Sequence, residues 1–326
     1  MQTLYPIHAR DSLSVRDGLH VTGIKRLDAA FGTIVDQVLW LRQLDRHYKA
    51  VPQCRNAMEF VRLALEELDV TPEVAPGELE HIPASGPAVI AANHPFGGME
   101  GLLFSNIILN RRKDLRVLAN VHLHRIAELR ELFISVNPFE GKRAARENIQ
   151  PLREAVRWVQ DGGALLVFPS GEVSHFQFRR TRVTDPEWRP SVGHIVRRTA
   201  APVIPAFVCG HNTWAFQLLG CIHARLRTAL LAGEFLKKRH HRIRIRFGPP
   251  VSPRRSQAFS SSLQLARYLR LRTYSLSDLD DTARNVPATN LSIAGKLSAL
   301  APIIEEVDPG LLETEFDALP VEQTLV

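Results

Sequence analysis

The chain has 326 residues, 45% of them apolar and 23% charged, close to the roughly 45–50% and 25% of soluble globular domains. This composition excludes a disordered, collagenous or coiled-coil chain. No apolar run approaches the roughly 18–20 residues of a membrane span; the nearest are 101–109 and 200–210. The formal charge of +7 is unevenly divided: residues 278–326 hold ten acids and two bases, net −8, which leaves +15 on the other 277. A body that basic attracts polyanions such as nucleic acid, anionic lipid headgroups, phosphorylated substrates or acidic carrier proteins.

Three widely spaced cysteines, Cys54, Cys209 and Cys221, give neither a disulfide framework nor a zinc site. Residues 1–10 lack a basic flank followed by an apolar block, so no secretory leader is expected, and the protein is expected to be cytosolic and reduced. In chain order, residues 24–48 and 53–69 show helical periodicity, with Leu27, Ala30, Phe31, Ile34, Val38 and Leu41 on one face of the first. A turn-rich stretch, 71–87, follows. From Ala88 onward, short apolar runs (88–92, 115–119, 132–136, 165–168, 203–208 and 243–247) alternate with helical segments such as 99–112 and 151–160. The second of these has Pro151 at its start and Gly162-Gly163 as its stop.

This order predicts an α/β fold: a mostly parallel central sheet flanked by helices, with an N-terminal helical element. Ile243, Ile245 and Phe247 alternate with arginines, which reads as an edge or half-exposed strand with a basic face. A last helix spans about 260–276. The expected organisation is an N-terminal helical region at 1–75, an α/β domain at 76–277 and an acidic linker or tail at 278–326. Phe31, Trp40 and Leu44 are candidates for contact with a bilayer.

Ligands bind open α/β sheets beyond the carboxyl ends of strands, and two such ends here carry chemistry. The first reads Ala91-Ala92-Asn93-His94-Pro95-Phe96-Gly97-Gly98-Met99-Glu100. A turn through Pro95–Gly98 can fold Glu100 back onto one imidazole nitrogen of His94, leaving the other to take a proton, as in a general base with its orienting acid. The plainer alternative is a turn histidine and a helix-start glutamate that suits the helix dipole. The second end reads Phe168-Pro169-Ser170-Gly171-Glu172-Val173-Ser174-His175, which is equally readable as an ordinary strand-to-loop turn.

Together these segments resemble the glycerolipid acyltransferase superfamily, the PlsC-like lysophospholipid acyltransferases. Asn93–Glu100 resembles the first family motif and Phe168–Glu172 the third. Pro202-Val203-Ile204-Pro205 is similar to the fourth, and 133–146, with Asn137-Pro138-Phe139-Glu140-Gly141-Lys142-Arg143, stands where the second belongs. Five residues separate histidine from acid here rather than the usual four, and the acid is Glu rather than Asp. That spacing resembles a haemolysin-like bacterial branch that includes lyso-ornithine lipid acyltransferases. The third motif lacks the arginine that helps the family bind glycerol phosphate, for which Arg143, Arg146, Arg179, Arg180 or Arg182 could substitute.

The resemblance implies an O-acyltransferase acting in lipid biosynthesis, peripheral on the inner face of the cytoplasmic membrane. It implies acyl-CoA or acyl carrier protein as donor substrate, a lysolipid acceptor and no bound cofactor or metal. His94 and Glu100 are implied as catalytic. Asn93, Gly97, Gly98, Arg143, Arg146, Phe168, Pro169, Ser170, Gly171 and Glu172 are implied as substrate-binding, with the Ser170 and Gly171 amides facing the oxyanion. The same-class alternative is a 1-acylglycerol-3-phosphate acyltransferase. The other-class alternative is a non-catalytic basic protein that binds membrane or nucleic acid. The basic segment 237–247 has only Phe247 for base stacking and no nucleic-acid-binding signature accompanies it, so nucleic acid is not expected as a partner.

Overall fold

The computed structural model describes residues 40–137, 141–222 and 224–285. Phe31 and the segment after Asn285 lie outside them. Two short helices, α1 (Leu41–Ala50) and α2 (Ala57–Glu67), precede the sheet. The Asn56 side chain accepts the Glu59 amide at 2.9 Å, which satisfies a first-turn donor of α2. Seven strands form one sheet: β1 (Thr71–Val74), β2 (Ala88–Ala92), β3 (Leu115–Asn120), β4 (Phe133–Val136), β5 (Ala164–Val167), β8 (Val203–Val208) and β9 (Arg242–Phe247). Their spatial order is β1-β9-β8-β2-β5-β3-β4. The five strands from β8 to β4 are mutually parallel, while β9 runs antiparallel to β8 and β1 lies parallel to β9. A separate hairpin joins β6 (His175–Gln177) to β7 (Arg182–Thr184).

Helices cover both faces because the strands are apolar on both sides. Ala88, Ile90 and Ala92 of β2 enter one core cluster, with Phe60 and Val61 of α2 and Phe104 and Ile108 of α3 (Met99–Arg111). Val89 and Ala91 enter the other, with Val159 of α5 (Ile149–Gln160), Ile195 of α6 (Pro190–Thr199) and Leu269 of α10 (Ser262–Asn285). The short α4 (Lys142–Glu147) precedes α5, while α7 (Trp214–Ile222) and α8 (Ala224–Leu236) connect β8 to β9 and α9 (Pro253–Gln257) leads into α10. Consecutive strand residues point to opposite faces, so a continuous apolar run serves both layers. The N-terminal helical region thus shares one core with the sheet, and α10 runs on through residue 277 to Asn285.

One expectation changes. Thr71–Val74, within the stretch read as turns, is the edge strand; Pro72 is tolerated there because an edge has one unpaired side. That placement puts β9 second from the edge, and its arginines meet acids: Arg242 pairs with Glu73 at 3.2 Å and Arg246 with Glu78 at 2.6 Å. The half-exposed character of β9 stands, since Ile243, Ile245 and Phe247 are buried while the arginines between them are not. The stop of α5 is as read: Gly162, at φ 97°, lets its own amide and that of Gly163 bond back to Val159 and Trp158 at 3.0 Å each.

Candidate active site

β2 and β5 lie side by side and parallel, with Ala91 opposite Val167. Their carboxyl ends therefore deliver Asn93-His94 and Phe168-Pro169 to the same edge of the sheet. Buried Asn93 locks β2 to β8 there: its side chain donates to the Val208 carbonyl at 3.0 Å and accepts the Val208 amide at 2.7 Å. The rings of His94 and Phe168 pack at a centroid distance of 4.6 Å. The next four residues turn the chain into α3, whose first turn carries Glu100.

The turn is held by the carboxylate it presents. Glu100 is fully buried; its Oε1 accepts the amides of Phe96 and Gly97, and its Oε2 that of Gly98, each at 3.0 Å. Oε1 also lies 2.7 Å from Nδ1 of His94, a short contact not aligned as a linear hydrogen bond. The segment has no side-chain N-cap, so Glu100 satisfies the free amides itself. Gly97 sits at φ 90°, and a Cβ on it would lie 2.6 Å from Leu231 Cδ2 and 2.9 Å from Val173 Cγ2. Only glycine fits this backbone and this space.

Burial disfavours the charged form of Glu100, yet the adjacent imidazole and the backbone N–H groups outweigh it and bring its pKa down to about 2. For His94 burial opposes protonation; the Glu100 charge, contact with its carboxylate and the charge of Asp185 prevail, and the pKa is raised above 6.5. The ring keeps 20% of its surface exposed, and Nε2 has no hydrogen-bond partner among the described residues. The pair is therefore an oriented imidazole with one nitrogen held against an anion and the other open.

Asp185 was not foreseen from the sequence. It is fully buried, and its Oδ1 accepts the His94 amide at 3.1 Å and the Ser174 hydroxyl, while Oδ2 accepts Trp188 Nε1 at 2.9 Å. Its own amide donates to the Tyr274 hydroxyl and its carbonyl accepts from Arg270. The Ser174 amide in turn donates to the His94 carbonyl at 2.8 Å. His94 is thus gripped at its ring by one carboxylate and at its backbone by another. A lone aspartate in Val183-Thr184-Asp185-Pro186 gives no sequence signal of this role.

The Phe168–Glu172 turn stands beside His94, with a partly different use of its groups. The Gly171 amide donates to the Phe168 carbonyl at 3.0 Å, so it closes the turn rather than facing an oxyanion. Buried Ser170 donates its hydroxyl to the Glu172 carbonyl at 2.7 Å. Pro169 accepts the Arg189 amide at 2.9 Å through its carbonyl, and Glu172 pairs with Arg227 at 2.9 Å. Gly171 has φ 67° and lies so close to Arg189 that a Cβ would be 3.0 Å from the guanidinium. The cations that border this turn are therefore Arg189 and Arg227, neither of them foreseen.

The candidate phosphate ligands stand on other elements than this turn. Arg143 and Arg146 belong to α4, the helix after β4. β4 is three strands from β2, about 14 Å across the sheet at the usual strand spacing. Arg143 is 92% exposed and paired with Glu147 at 2.8 Å, and Arg146 is exposed. Arg180 lies 4.0 Å from Glu187, and Arg182 is exposed.

A family described as acyltransferase matches residues 45–283, a span that contains both strand-end turns and the helices around them. The chain belongs to this acyltransferase family. Among curated relatives of this acyltransferase, the lyso-glycine lipid O-acyltransferase of Bacteroides thetaiotaomicron is 28% identical over 229 residues, covering 67% of this chain and 80% of that protein. The protein of the same name from Phocaeicola vulgatus is 25% identical over 226 residues, covering 67% and 78%. The crystal structure of the 1-acyl-sn-glycerophosphate acyltransferase PlsC of Thermotoga maritima aligns with a TM-score of 0.43 at 22% identity, covering 77% of this chain and 88% of that one. Among the described residues of the acyltransferase, no helix is long and apolar enough to cross a membrane.

Proposed function

We propose that this acyltransferase moves a fatty acyl group from a thioester donor, acyl-CoA or acyl carrier protein, onto the hydroxyl of a lysolipid. The observation that carries the reading is the 2.7 Å approach of Glu100 to Nδ1 of a histidine whose Nε2 is open. Nε2 takes the acceptor's hydroxyl proton as the oxygen attacks the thioester carbonyl, and buried Glu100 stabilises the imidazolium that forms. Collapse of the tetrahedral intermediate expels the thiolate, which takes the proton back from Nε2. General-base catalysis of this kind contributes roughly 10²–10⁴-fold. Of the two amides expected to face the oxyanion, that of Ser170 remains, since Gly171's is engaged in the turn.

An acceptor with an amino-acid headgroup, of the lyso-ornithine or lyso-glycine type, fits better than lysophosphatidic acid. The third motif lacks its arginine, Arg143 is already paired with Glu147, and both curated relatives bear the name of lyso-glycine lipid O-acyltransferases. No bound cofactor or metal takes part in this scheme, and the basic body suits work at the inner face of the cytoplasmic membrane. The test is a panel of lyso-glycine, lyso-ornithine and lysophosphatidic acids with radiolabelled acyl-CoA or acyl carrier protein, resolved by thin-layer chromatography. Label is expected in a diacylated amino-acid lipid. Label in phosphatidic acid alone would overturn the headgroup assignment, and no transfer to any acceptor would overturn the activity.

A further inference from the structure

The three most exposed large apolar side chains among the described residues are Phe178 at 72%, Leu218 at 66% and Trp214 at 63%. They belong to one surface. Trp214 and Leu218 stand a turn apart on α7, whose Phe216 faces the core with no exposure. Buried Gln217 of the same helix accepts the Phe176 amide at 3.0 Å through its side-chain oxygen, which fastens α7 to strand β6. The Phe176 ring meets that of Phe178 edge-on at 5.3 Å, so the turn of the β6–β7 hairpin stands beside the helix.

Basic groups flank this surface. Arg180 and Arg182 follow Phe178 in the hairpin. On the helix side, Lys238 donates to the His211 carbonyl at 3.1 Å, and the His211 ring lies 6.1 Å from that of Trp214. The surface is also tied to the catalytic histidine, because Ser174, which donates its amide to the His94 carbonyl, leads directly into β6.

We infer that this hairpin–helix surface is the face by which the enzyme seats on an anionic lipid bilayer, placing His94 at the depth of the lysolipid hydroxyl. The inference rests on the lysolipid reading and names the surface that serves it. The three side chains expose on the order of 400 Å², about half of the ~800 Å² that each partner hides in a stable protein interface. A small apolar cluster carrying tryptophan and phenylalanine inside a basic rim instead matches a headgroup–acyl boundary, where aromatic rings sit at the interface and cations meet anionic lipid.

The experiment uses the full chain and vesicles of phosphatidylcholine with or without about 30% phosphatidylglycerol. Wild-type protein is expected to float with the anionic vesicles and less so with neutral ones or in high salt. Phe178→Ser with Trp214→Ser is expected to lower vesicle partitioning at least about tenfold, and Arg180→Glu with Arg182→Glu to lower it on anionic vesicles only. In the serine double variant, acylation of a long-chain lysolipid embedded in vesicles falls with partitioning, while acylation of a short-chain, water-soluble acceptor stays within about twofold. Flotation of both double variants like the wild type overturns the inference. So does a wild-type dimer, seen by sedimentation, that the serine substitutions split without changing flotation. Flotation needs no turnover, so absence of acyl transfer in both formats strikes the proposed activity and leaves the surface to be judged separately.

Discussion

Glu100→Gln keeps the volume of the side chain and removes its charge. The carboxylate uses both oxygens: Oε1 takes two backbone amides and touches Nδ1 of His94, and Oε2 takes a third amide. Glutamine has one acceptor oxygen. Placed at Oε1, it leaves its NH₂ facing the Gly98 amide, donor against donor; reversed, it faces two amides and an imidazole N–H. The better orientation leaves one backbone donor unpaired beside a fully buried side chain, at roughly 1–3 kcal/mol, so a fall of several degrees in Tm is expected. On the proposed mechanism the catalytic effect is larger, because the imidazolium formed during proton transfer loses its counter-charge. A decrease in kcat on the order of 10²–10⁴-fold follows.

The same variant moves the pH profile. A general base works only when neutral, and the proposed base, His94, has its pKa raised above 6.5, with burial opposed by Glu100 and Asp185. The kcat/KM of the wild type should therefore rise with pH through a midpoint above 6.5. In the glutamine variant the burial penalty stays while the Glu100 contributions vanish, and the midpoint moves down. The carboxylate also makes folding acid-sensitive: with its pKa lowered from 4.5 to about 2, its contribution is fully present above about 4.5 and is lost as pH falls toward 2. An uncharged amide at this position carries no such dependence. Initial rates of acyl transfer between about pH 5 and 9, with Tm measured over the same buffers and below, test all three. A variant within threefold of the wild type, or a midpoint that stays put, would refute the assignment of base and partner.

His94→Ala is expected to lower turnover by roughly 10²–10⁴-fold with a native circular dichroism spectrum, since the ring is partly exposed and Glu100 keeps its three amides; near-wild-type turnover ends the base hypothesis. Gly97→Ala meets Leu231 at 2.6 Å in a positive-φ backbone and should cost about 2–4 kcal/mol, read as a lower urea midpoint. Asp185→Ala leaves the His94 amide, the Ser174 hydroxyl and Trp188 Nε1 without their buried acceptor, at roughly 3–5 kcal/mol. An unchanged urea midpoint for that variant would mean water replaces the carboxylate.

The sheet could be read from the chain because its central strands are apolar on both faces and bounded by Pro and Gly. Ala88–Ala92 and Val203–Val208 have no other place to go than a covered sheet. Thr71–Val74 escaped notice because four residues with a proline look like a turn, and its strand character comes from pairing with β9, a partner about 170 positions away. The hairpin His175–Thr184 was hidden for the same reason. Its strands are three residues each and gain their order from Gln217 and Asp185, which no local pattern announces.

The site was legible only where chemistry is local. His94 and Glu100 are six positions apart, so a single turn determines whether they meet. Asp185 is 91 positions from His94 and reaches it through the fold. The two acids divide the work by where they attach. Glu100 holds the ring and can answer the charge that forms there, whereas Asp185 holds the backbone amide and fixes where the ring starts. Glutamate at position 100 is long enough to reach back both to the amides of Phe96, Gly97 and Gly98 and to Nδ1 of His94.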